Sequence, residues 1–225
     1  MHIVQRGNNR SACFYSRDDY TRYSSDLQRL ASDFRCEIHA FVLMTNHVRL
    51  LLTPQQAESV SLLMKHLNQR YAQYANRTYA RTGSRWEGRF RSCIVGDDVY
   101  VLRCYRYIEL NPVRAAMVRH PRNYPWSSYR FNAEEASSGM LSEHACYQAL
   151  GADAQARREE YRKLVDSELE REALEDIRKA TNGNFVLGRE RFQRDIEAAL
   201  GRRASPGMPG RPRVQSNSRG AKNVV

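Results

Sequence analysis

His47 and Arg49 stand two residues apart in the apolar run His47-Val-Arg-Leu-Leu-Leu-Thr53, and alternate residues of a β-strand point to one face. An imidazole there can ligate a divalent cation or take an ordinary hydrogen bond. A guanidinium cannot be a ligand, because it stays protonated with a pKa above about 12 and has no lone pair; it can only bind anions or acceptors. Tyr107 and Asn111 are four apart, a spacing that shares one helix face and sets a phenol near an amide. Taken alone, each has a plain reading. A strand histidine is usually hydrogen-bonded, and with 13 tyrosines in the chain a helical tyrosine is most often packing. Arg89, Arg91 and Arg114 suit phosphate contacts, since cations need not be buried.

The balance of charge favours an anionic partner. The chain of 225 residues carries a formal net charge of +11 with 10 % aromatics, and arginine provides most of the excess, which points to nucleic acid. Its five cysteines, Cys13, Cys36, Cys93, Cys104 and Cys146, lack a C-x-x-C spacing and are odd in number, so they read as reduced buried thiols and not as a disulfide framework. No signal-peptide pattern opens the chain and no apolar stretch approaches a bilayer span. A cytoplasmic protein without a membrane partner is expected.

These residues need a scaffold, and the pattern supplies one. Met1 to Gln5 reads as a strand followed by the polar turn Arg6 to Arg10. Tyr20, Tyr23, Leu27, Leu30 and Phe34 give a helical stripe begun by Asp18-Asp19. Glu37 to Met44 and His47 to Thr53 have hairpin spacing around Thr45-Asn46. Val60 to Tyr74 forms a second helical stripe, Trp86 to Val95 a strand, and Asp97 can cap a third helix that Pro112 ends or kinks. The order implies an α+β fold, an RRM/ferredoxin-like antiparallel sheet with packed helices, over residues 1–132. A helical connector (133–169) follows. Gln155 to Lys179 reads as one long charged helix, broken by Asn182-Gly183-Asn184. Phe192, Ile196 and Leu200 then mark a short amphipathic helix ending at Gly201. Residues 170–204 thus read as a small helical C-terminal segment, and its weak similarity to replication-initiator-like helical extensions implies a DNA-binding role. The tail, 205–225, is basic and rich in Pro, Gly and Ser, which predicts disorder; its Gly210-Arg-Pro-Arg213 is a short basic hook of the kind that favours narrow A·T minor grooves.

The segment His39-Ala-Phe-Val-Leu-Met-Thr-Asn-His47-Val-Arg49-Leu-Leu-Leu-Thr-Pro54 resembles the HUH segment of REP-associated tyrosine transposases, members of the HUH-type Y1 family. Four further blocks stand in the family's order: Gln5-Arg6-Gly7-Asn8-Asn9-Arg10, Trp86-Glu-Gly-Arg89-Phe90, Tyr107-Ile-Glu-Leu-Asn111-Pro112-Val-Arg114-Ala115 and Tyr124-Pro-Trp126-Ser-Ser-Tyr129. The resemblance implies a DNA transposase or single-strand endonuclease acting on REP hairpins, with Tyr107 as the nucleophile that forms a 5′-phosphotyrosyl bond. It implies Mg²⁺ or Mn²⁺ held by His47 and Asn111, and a DNA-contacting loop of Arg6, Asn8, Asn9 and Arg10. Its second metal-ligating histidine falls on Arg49, which leaves a poor cation site of one imidazole and one amide. Arg49 is then either a lesion or a clamp on the scissile phosphate, and the alternative function is a non-catalytic DNA-binding protein derived from a transposase. His39 reads as structural; Trp86, Phe90 and Tyr129 read as core before base-stacking surfaces. The expected partner is single-stranded or hairpin DNA, bound by a monomer or homodimer in a bacterial cytoplasm, near the nucleoid.

Overall fold

A computed structural model describes residues 1–96 and 98–206. The chain runs β1 (His2–Arg6), α1 (Arg17–Asp33), β2 (Cys36–Met44), β3 (His47–Pro54), α2 (Ser59–Thr78), β4 (Arg91–Val95), α3 (Asp98–Glu109), α4 (Asn111–Arg114), α5 (Tyr129–Ala133), α6 (Ala145–Gln148), α7 (Ala154–Asp166), α8 (Arg171–Gly183), β5 (Val186–Leu187) and α9 (Glu190–Leu200). The strands form one sheet in the order β2-β3-β1-β4-β5. The first four are antiparallel neighbours, which is the α+β sheet expected, and β5 joins β4 in parallel.

Two cores sandwich this sheet. Ile3, Phe41, Val48, Leu50 and Leu52 face α1 and α2, meeting Leu27, Leu63, Leu67 and Tyr71. Val42, Leu51 and Cys93 face the other way, onto Val101, Cys104 and Ile108 of α3 and Ile177 of α8. Because side chains alternate along a strand, the pairings Val4↔Arg49 and Arg6↔His47 between β1 and β3 set His47 and Arg49 on this second face, toward α3.

Local chemistry explains the element ends. Ser16 caps α1 by accepting from the Asp19 amide, and Asp19 answers by accepting from the Ser16 amide, a reciprocal capping box. Met44↔His47 closes the β2–β3 hairpin around Thr45-Asn46. The chain from Trp86 to Phe90 is not strand: Trp86 makes a single bridge to Gly7, its indole donates to the Asn68 carbonyl at 3.1 Å, and Gly88 turns the backbone at φ 62°. The charged stretch expected as one helix is two. Arg106 of α3 reaches the Ser167 carbonyl at 2.5 Å and its hydroxyl at 3.1 Å, pinning the extended residue that ends α7, so that α8 turns back onto the sheet. Asn184, at φ 53°, caps α8 in the left-handed region, and Gly201 does so for α9 at φ 60°, where both breaks were expected. Asp97 as a helix cap and the Gly210-Arg213 hook lie outside the described residues.

Candidate nucleic-acid interface

The loop after β1 builds the site. Gly7 donates its amide to the Asn46 carbonyl at 2.9 Å, and a Cβ at Gly7 would meet the Ser11 carbonyl oxygen at 2.3 Å and the Cys13 sulfur at 2.7 Å, so the approach requires glycine. Cys13 then donates to the Thr45 carbonyl at 2.7 Å, and the Asn46 amide nitrogen donates to the Arg10 carbonyl at 3.2 Å. The loop is thereby laid against the hairpin turn. The result is a cavity of about 350 Å³ lined by Arg6, Arg10, Asn46, His47 and Arg49, three cations with no acid among them. Asn8 and Asn9 are exposed in the same loop and do not line it.

His47 is oriented by Asn46, a residue that spacing alone did not single out. Its Nδ1 lies 2.8 Å from Asn46 Oδ1. A carbonyl oxygen only accepts, so Nδ1 carries the proton and Nε2 presents its lone pair; Nε2 is buried and unpartnered. Burial, then Arg49 and Arg6, push the His47 pKa down to about 3, which keeps the ring neutral at physiological pH.

Arg49 is buried, with only 9 % of its surface exposed. Its Nε has no hydrogen-bond partner. Burial lowers its pKa, the Tyr107 side chain opposes that shift, and the cations Arg6 and Arg178 add to it. Its guanidinium lies over the Tyr107 ring, 4.9 Å from the centroid, and Arg114 lies over the same ring at 4.5 Å. Arg114 also donates to the Tyr107 carbonyl, at the point where α3 gives way to the Pro112-containing α4. Tyr107 is 2 % exposed and Asn111 9 %; the helix breaks at Leu110 between them. His2, which no motif marked, is fully buried against Tyr107 with ring centroids 5.7 Å apart and has its Nδ1 2.8 Å from Thr181 Oγ1.

A divalent cation does not fit this donor set. The pocket offers one neutral imidazole, Asn111 is not among its lining residues, and a hard dication wants several oxygens; the guanidinium of Arg49 opposes it at close range. Among the described residues no group of three His, Cys, Asp or Glu side chains gathers at one place. The remaining sequence candidates sit elsewhere. Arg89 and Arg91 border a recess that they share with Val4, Arg6 and Glu87. His39 is satisfied on both nitrogens, by the Ser142 carbonyl at 2.8 Å and Thr53 Oγ1 at 2.9 Å. Trp86 and Tyr129 are core, and Phe90 is half-buried. No helix among the described residues is long and apolar enough to cross a membrane.

The profile of the family described as IS200-like transposase matches residues 1–111. Among solved structures, the chain is similar to a REP-associated tyrosine transposase bound to a REP hairpin (18 % identity, TM-score 0.49, covering 64 % of this chain and 87 % of that one). It is also similar to a Deinococcus radiodurans protein provisionally assigned as a transposase (18 % identity, TM-score 0.36, covering 55 % and 88 %). No curated protein sequence matches it.

Proposed function

Since residues 1–111 belong to the IS200-like transposase family, we propose that this protein binds single-stranded, hairpin-bearing DNA of the REP type and holds a strand phosphate in the arginine pocket without a cation. The observation that carries the reading is Arg49: a buried guanidinium whose charged neighbours are cations, in a pocket with Arg6 and Arg10. A buried unpaired charge costs several kcal/mol, and a phosphate oxygen would pair it, accept from the unpartnered Nε–H and relieve the repulsion with Arg6. The neutral Nε2 of His47 would accept from a base N–H of the same strand.

A second reading is favoured by the contact of Arg49 with the Tyr107 ring, which brings a phenol beside the phosphate pocket. In it Tyr107 attacks the phosphodiester, the new bond is a 5′-phosphotyrosyl ester, and the phenolic proton ends on the departing 3′-oxygen. Fluorescence anisotropy in EDTA tests the first reading: the hairpin should bind more tightly than a duplex of the same sequence at matched salt, and equal or tighter duplex binding would sink it. Denaturing gels with Mg²⁺ or Mn²⁺ test the second. A covalent adduct that disappears in Tyr107→Phe establishes it, and no adduct on any hairpin leaves a non-catalytic binder.

A further inference from the structure

Cationic surface does not stop at the pocket. The recess beside β1 shares Arg6 with it, and shares Arg89 and Arg91 with a groove of about 1000 Å³ that crosses the edge of the sheet. Glu87 is the one acid along this path. One wall of the groove is α2, with exposed Lys65 and with Asn68; the other is the turn after α8, with Asn182 and Asn184, and with Arg202 beyond α9. Four cations line it and no carboxylate does.

The far wall is built in. Arg91 Nη1 donates to the Asn182 carbonyl at 2.8 Å, and the Ser92 amide donates to Asn184 Oδ1 at 2.9 Å, so the Asn184 side chain stands where the next strand's acceptor would be. The left-handed backbone of Asn184 is what turns that amide back onto β4. Inside, Asn68 Oδ1 is buried without a partner, and Phe90 is half-buried at the rim.

We infer that this groove takes a single-stranded DNA arm continuing from the strand held in the arginine pocket, so that the C-terminal unit and the transposase domain grip one strand together; this rests on the reading that the pocket holds a DNA phosphate. The volume sits at the top of the range for small-ligand sites, which accommodates a few nucleotides of one strand and not a duplex. A run of cations tracks a backbone, an aromatic ring at the rim stacks a base, and asparagine amides meet base edges.

Three probes decide it by anisotropy: a REP-type hairpin with no arm, the same hairpin with an arm of about eight nucleotides, and the arm alone, a length inside the roughly 4–16 nucleotides such grooves cover. The arm should raise wild-type affinity at least tenfold. In the double variant Lys65→Glu/Arg202→Glu, both positions exposed, that gain should vanish while the armless hairpin binds as before. The salt slope for the armed hairpin should flatten by about 1.4, at roughly 0.7 per lost contact to a single strand. If the arm adds nothing to wild type, or the variant weakens both hairpins equally, the inference is wrong. If Arg49→Gln leaves armless binding intact while the variant still abolishes binding of the arm alone, the groove stands and the pocket reading falls.

Discussion

Replacing Arg49 with methionine separates the needs of the fold from the needs of the site. The guanidinium is 9 % exposed with an unpartnered Nε, and an unsatisfied buried donor costs about 1–3 kcal/mol before its charge is counted. Arg6 and Arg178 add repulsion. Against this stands the contact with Tyr107 at 4.9 Å, worth about 2 kcal/mol when desolvated. Methionine keeps an unbranched apolar stem of similar reach and contacts the ring through sulfur. Replacing a buried ion pair by packed apolar side chains is often neutral or stabilising by about 1–4 kcal/mol, and a buried guanidinium with no ion pair is expected to gain at least as readily. At about 2–4 °C per kcal/mol for a chain of this size, the melting temperature should hold or rise by several degrees. Hairpin affinity should fall by roughly tenfold or more, as expected for losing a charge-assisted contact worth about 1.5–3 kcal/mol. Differential scanning fluorimetry and anisotropy on one preparation give both numbers. A variant that melts lower and binds hairpin as wild type does would show that Arg49 is a structural cation, and the phosphate pocket would have to be abandoned.

Three other outcomes follow from the same geometry. Arg49→His places two imidazoles on one strand face and should give Mn²⁺-dependent thermal stabilisation that wild type lacks; equal Mn²⁺ shifts in both proteins would mean that the wild-type pocket holds the ion after all. Glu109 is buried, accepts from Ser128, Asn132 and Tyr161, and has its pKa raised by burial from 4.5 to about 7, so the folded chain keeps a proton that the unfolded chain has lost and stability falls as pH rises through that window. Wild type should therefore lose roughly 3 kcal/mol relative to Glu109→Gln between pH 4.5 and 8, at about 1.4 kcal/mol per pH unit, and parallel urea-denaturation profiles would contradict this. Ser16→Ala removes half of the α1 capping box and should cost about 1 kcal/mol, lowering the melting temperature by a few degrees; an unchanged melt would mean that Asp19 holds the helix start alone.

What the sequence made legible is what periodicity controls. The two-residue repeat predicted that His47 and Arg49 share a strand face, and the cross-strand pairs Val4↔Arg49 and Arg6↔His47 place that face toward α3, where Tyr107 stands. The hairpin at Thr45-Asn46 and the stops at Asn184 and Gly201 were legible because turn residues carry their own backbone preference. The break between α7 and α8 was not: both halves are charged and amphipathic, and the interruption is made by Arg106 reaching Ser167 from 61 residues away. Nor was β5, two residues long, which exists because α8 has been folded back against β4. The same limit applies at the site. A guanidinium that cannot ligate a metal is readable at position 49 from residue type alone, but its burial is not, because burial depends on α3, α4 and α8 closing over the sheet. That distinction is what favours the clamp reading over the lesion in our proposal. An arginine left at a decayed site could swing to solvent, since its stem is long enough to carry the charge out. Arg49 instead stays under cover, over the Tyr107 ring and beside Arg6, in a cavity open to a ligand and free of acids. A guanidinium held there over the Tyr107 ring, with an unpartnered Nε, is what the proposed phosphate pocket requires, and the anisotropy of Arg49→Met tests it.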